Sequence, residues 1–194
     1  MDVTTYAAAT ALCGRLAGRL SDPVLEAVRV YYFVGEDELA DSSLLLGLAA
    51  EGVQISPAER DLIRSVVADP DAAELAGLHV VDEPAVPVHD FRREAPPAAP
   101  DPARADDVLA AEAGRHRVLS LHRTWRGPGG DPGAGTWVYL AVADDDADVL
   151  GVHSALSSRL GATLRLAWPV EVLTAGGEPT SYQRRALAGA VEVR

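Results

Sequence analysis

Apolar side chains return every three or four positions through the first part of the chain. Tyr6, Ala9, Leu12, Cys13, Leu16 and Leu20 draw one stripe along a helix. Asp22-Pro23 restarts the chain, with aspartate as cap and proline at the first helical position. Leu25, Val28, Tyr32 and Phe33 line a second helix, although the β-branched and aromatic run Val28–Val34 also suits a strand. Asp41 reads as the cap of a helix over Ser42–Glu51, with Gly52 in the left-handed position after it. Ser56-Pro57-Ala58-Glu59 is a capping box with proline in the first turn, and it opens a helix that buries Leu62, Ile63, Val66 and Val67. Asp69-Pro70 stops that helix.

The pattern then breaks. Pro84, Pro87, Pro96, Pro97, Pro100 and Pro102 fall within residues 83–107, among alanines and charges. Such a stretch favours extended, semi-rigid chain, so the boundary between two segments is placed there.

Beyond it the period shortens to two. Arg117, Leu119, Leu121, Arg123 and Trp125 fall on one face of a strand, with His116, Val118, Ser120 and His122 on the other. The Gly127–Gly135 stretch reads as a hairpin loop into a second strand, Thr136–Ala143. Asp144, Asp145 and Asp146 precede a helix with the stripe Val149, Val152, His153, Leu156 and Leu160, which Gly161 ends. Trp168–Leu173 is a third strand, Thr180 to Leu187 a last helix closed by Gly189, and Val191–Val193 a short edge strand. The fold class is α+β: a helical segment over 1–82, a Pro/Ala-rich linker over 83–107, and a ββαβα(β) segment over 108–194. The last segment forms a small sheet with helices packed on one face.

Composition narrows the function classes. No apolar run approaches the roughly 20 residues of a membrane helix. Arg15 and Arg19 interrupt the early apolar positions, so no secretory signal is expected. The single cysteine, Cys13, rules out an internal disulfide and a thiolate cluster. Together these point to a cytoplasmic protein. The net charge is −12, with 14 acids and 5 arginines in residues 1–82 against 15 acids and 12 arginines in 83–194. An acidic surface repels phosphate backbones, which disfavours a nucleic-acid partner. The chain has no lysine, which excludes a P-loop lysine, a Schiff base and a bound pyridoxal cofactor.

Local chemistry is sparse. Asp144, Asp145, Asp146 and Asp148 lack the glycine and glutamate spacing of a calcium loop, and helix capping is the favoured reading. The glycine loop lacks the lysine of a Walker motif and joins two strands. His116 and His122 share a face but lie about 20 Å apart along an extended strand. His79 and His89 are expected to be solvated beside the linker, and Cys13 to be a buried structural thiol. Neither metal nor cofactor is expected, and no catalytic residue is assigned. Gly14-x-x-x-Gly18 suits close helix packing or a dimer seam. Tyr182, Arg184 and Arg185, placed near Trp168, are the residue types favoured at contact surfaces, and His116, His122 and Arg123 complete the binding candidates.

Three functions follow as expectations. The first is a non-catalytic interaction or regulatory protein whose partner is another protein or a second copy of itself. The second is an enzyme or small-molecule binder with its site between the two segments. The third is a structural subunit acting as a homo-oligomer.

Overall fold

The computed structural model describes residues 2–128 and 134–193. The chain divides between Pro87 and Val88 into two units. The architecture is α+β, with helices first and a strand–helix region after them.

In the first unit, α1 (Val3–Leu16) begins where the Asp2 carboxylate accepts the Thr5 N–H at 2.8 Å. Its buried side is Ala9, Leu12, Cys13 and Leu16, the stripe read from periodicity. The helix stops before Gly18, whose φ of 73° is left-handed, so Gly14 and Gly18 do not form a continuous helical stripe. Helix α2 (Asp22–Val34) takes in the whole β-branched run, because burial of Leu25, Val28 and Tyr32 along one helical face outweighs strand propensity. Phe33, expected inside, is exposed: adjacent helical residues point about 100° apart, and Tyr32 holds the inward direction.

Helix α3 (Asp37–Ala50) starts earlier than Asp41. Asp41 is therefore no cap; it accepts the Tyr32 hydroxyl at 2.9 Å and the Ala68 N–H at 2.8 Å. Helix α4 (Pro57–Val66) opens with the capping box, Ser56 Oγ accepting the Glu59 N–H at 3.1 Å and Glu59 Oε2 the Ser56 N–H at 2.8 Å. The same Glu59 carboxylate is buried against the Arg19 guanidinium, which also donates to the Gln54 carbonyl. A short helix α5 (Ala73–Ala76) follows, and Ile55 and Val80 form a lone parallel bridge.

In the second unit a mixed sheet is built on β2 (Val118–Pro128). It pairs antiparallel with β3 (Thr136–Ala143) on one side. On the other, β1 (His89–Arg92) and β5 (Val191–Val193) share its edge. Strand β4 (Val170–Thr174) lies parallel to β3, reached through α7 (Val149–Leu164). Helices α6 (Ala103–Ala113) and α7 cover one face, where Leu109, Leu156 and Leu160 meet Leu121, Trp125, Trp137 and Tyr139. The short α8 (Ser181–Ala188) packs on the opposite face through Ala186, against Leu140 and Leu173. The helices thus occupy both faces, because Leu140 and Leu173 also need cover.

Three other readings change. Residues 83–107 are not linker throughout: β1 and the start of α6 fall inside them, and Ala95 and Ala99 pack on the core between the prolines. A bulge between Val118 and Ser120 puts Val118 on the core face and leaves Leu119 exposed, so strict alternation fails at the start of β2. Gly161 does not end α7. Leu164 adds a core contact, and Arg165 takes the left-handed cap at φ 56°. Of the expected glycine hairpin, residues 129–133 lie outside the described residues.

Candidate functional site

Two neighbouring strands and one helix bring a polar–aromatic group together in the second unit. Trp137 and Tyr139 alternate onto one face of β3, and the antiparallel register sets Arg123 of β2 opposite Tyr139 and Trp125 opposite Trp137. Helix α6 crosses that face and lowers Asp106, in its first turn, onto the pair. The Tyr139 hydroxyl donates to Asp106 Oδ1 at 2.7 Å, while the Arg123 guanidinium bridges to Oδ2. The guanidinium carbon also lies 4.6 Å from the Trp137 ring centroid. Trp137 Nε1 donates to the Pro100 carbonyl at 2.8 Å, which ties the proline-rich segment to the sheet. Trp168 stacks on Tyr139, with ring centroids 6.3 Å apart and planes 19° from parallel.

Above this group runs an open groove of about 600 Å³. One wall is the segment from Arg93 to Ala103; the other is Asp106, Arg123 and Trp137. The Asp106 carboxylate and the Tyr139 hydroxyl are already committed inside the protein, while Arg123 Nε is buried without an acceptor. Burial, reinforced by the hydrogen bond to Asp106 and its charge, pushes the Tyr139 phenol well above its ordinary range, so it stays protonated. The Asp106 carboxylate accepts two donors, and Arg123 is half-buried between that carboxylate and an indole. Arg93 and Glu94, by contrast, stand exposed at the rim. The arrangement is a stiff, pre-organised wall with a charged lip.

Comparison of the chain with protein-family models, with curated proteins and with solved structures gives no match. The functional reading therefore rests on the residues themselves.

The seven binding candidates read from sequence do not form one surface. Arg123 and Trp168 belong to the group described above. Tyr182 lies on the opposite face, buried edge-on against Phe91 and His89 at centroid distances of 5.2 and 5.6 Å, its hydroxyl accepting from Arg126 at 2.9 Å. His89 is accordingly packed, not solvated. Arg185 donates to the His89 carbonyl, and Arg184 is exposed on the same helix. His116 lies before β2, 3.0 Å from Glu112, and His122 lies 3.0 Å from the Ser120 hydroxyl. Helix α8 approaches the sheet from the face away from Trp168, which separates the expected Trp168–Tyr182 pairing.

The aspartates also have separate tasks. Asp148 caps α7 by accepting the Gly151 N–H at 3.0 Å. Asp144 and Asp146 hold Arg117 at 2.8 and 2.7 Å, and Asp145 accepts the Gly176 N–H. Sequence reasoning missed Asp106, Trp137, Tyr139 and Arg93. The alternation of β3 already put Trp137 beside Tyr139. Asp106 lay in a stretch read as linker and gave no signal.

Proposed function

We propose that the chain is a non-catalytic protein-interaction protein whose second unit receives an extended peptide segment of a partner in the groove beneath Arg93. The observation that supports this is the engagement of the Asp106 carboxylate by the Tyr139 hydroxyl and the Arg123 guanidinium, of which only Nε is buried without an acceptor. A carboxylate holding two donors and a phenol held protonated are poor proton carriers but good fixed walls. An open groove lined by Pro96, Pro100 and Pro102, with the exposed Arg93 at its rim, suits a chain laid against it. Arginine and tryptophan are the residue types enriched where binding energy concentrates.

A peptide-display selection on the purified chain tests the reading. Selected peptides should lose at least tenfold in affinity against Arg93→Glu, with the melting temperature unchanged. Peptides that bind wild type and Arg93→Glu alike would defeat the assignment of the groove. The groove's volume also lies within the range of metabolite sites, which supports small-molecule binding as the second reading. A thermal-shift screen against metabolites separates the two: a saturable rise in melting temperature, abolished by Arg93→Glu, favours the second.

A further inference from the structure

We propose that the outer seam of the α2–α3 pair in the first unit docks an amphipathic helix with basic flanks, carried by a partner protein. Val24 packs directly on Gly47, so close that a Cβ at Gly47 would lie 2.5 Å from Val24 Cγ1. That contact fixes which sides of the two helices face each other. At about 100° per residue, Val24, Tyr31 and Val34 then share the flank of α2 beside α3, and Leu39 and Leu46 share the matching flank of α3. Val34, Leu39 and Leu46 are 57, 49 and 62% exposed. The positions between them on these flanks, Ala27, Ser43 and Ala50, are small and uncharged. Two parallel apolar stripes with small residues between them form a seat for a third helix, read by anchors spaced three, four and seven residues apart. Helices of 13 and 14 residues give a seat roughly 20 Å long, enough for three to four turns.

Charge selects the occupant. Residues 22–51 contain seven acids and one base, and that base, Arg29, is buried. Glu36 and Glu38 stand exposed beside the stripes, and the segment as a whole keeps a balance of six negative charges. A second copy of the chain would set acid against acid, and anionic lipid or nucleic acid would be repelled likewise. A helix with leucine-type anchors and arginine or lysine on its flanks meets both demands. The inference shares with the groove only the class of ligand, a protein, and stands on another surface.

The test uses the full chain and a 14-residue leucine–lysine amphipathic peptide, with its leucine–glutamate counterpart as control, read by fluorescence anisotropy. The lysine peptide should bind and weaken as salt rises, and the glutamate peptide should not bind. Double substitution Leu39→Ser with Leu46→Ser leaves every charge in place and should weaken the lysine peptide at least tenfold at an unchanged melting temperature. Arg93→Glu should bind it as wild type does, which separates failure here from failure of the groove. Equal binding of both peptides, or unchanged affinity in the serine variant, would overturn the seam. A dimer by light scattering that the serine variant abolishes would assign the seat to a second copy and overturn the choice of partner.

Discussion

Replacing Glu59 with alanine should be among the costliest single changes in the first unit. The carboxylate performs two tasks: it completes the capping box of α4 and it neutralises Arg19. The two side chains are only 8 and 9% exposed, so water screens the pair little. Alanine leaves the Arg19 guanidinium buried with the Gln54 carbonyl but no anion. Breaking a buried pair from one side costs about 3–5 kcal/mol, and half a capping box adds at most ~1 kcal/mol to the same loss. The expected destabilisation is therefore about 3 kcal/mol or more, against a total of roughly 5–15 kcal/mol for a typical domain. Glu59→Gln keeps an acceptor for the Ser56 N–H and should cost less.

The pH dependence gives a second handle on the same residue. Burial alone would raise the Glu59 carboxyl; hydrogen bonds from Arg19 and from the Ser56 N–H outweigh it and hold the group below its ordinary range. A folded-state value depressed below the unfolded one contributes stability above the unfolded value, near pH ~4.3, which is lost as pH falls through the folded value. Urea unfolding followed by circular dichroism at 222 nm reports on the helices of both units, and all three tryptophans, Trp125, Trp137 and Trp168, report on the second alone, so the part of the dichroism transition that tryptophan fluorescence does not follow belongs to the first unit. The gap between wild type and Glu59→Gln should narrow on acidification from pH 7 toward pH 3. A loss under about 1 kcal/mol for alanine, or a gap independent of pH, would refute the reasoning.

Other substitutions probe the second unit. Tyr139→Phe removes the hydroxyl that donates to Asp106 but leaves the Arg123 bridge, and should cost about 0.5–1.5 kcal/mol in urea unfolding followed by tryptophan fluorescence. Gly189→Ala should cost about 1–3 kcal/mol in the same assay, since a Cβ there would lie 2.6 Å from the Phe91 carbonyl oxygen, a backbone atom with no rotamer to escape into. Arg165→Gly should raise stability by about 0.5–1 kcal/mol, because the exposed cap of α7 sits at φ 56°, where glycine carries no Cβ penalty. A thermal melt showing no gain there would argue against the left-handed cap.

The sequence by itself determined the parts of this protein that local chemistry controls. The Ser56–Glu59 capping box forms as read, because its two hydrogen bonds close within four residues. Strand β3 spans Thr136–Ala143 as its alternation indicates, and the Ala9–Leu16 stripe is the buried side of α1. Tertiary structure decided the rest. Asp41 looks like a helix cap until Tyr32 and Ala68 arrive from elsewhere to claim its oxygens. Prolines between 96 and 102 read as linker until Trp137 reaches across to the Pro100 carbonyl and makes them a groove wall. Asp106 and Tyr139 stand 33 residues apart, and only the crossing of α6 over β3 makes them partners. A periodicity records which side of an element is apolar, but which element will cover that side depends on contacts between residues far apart in the chain.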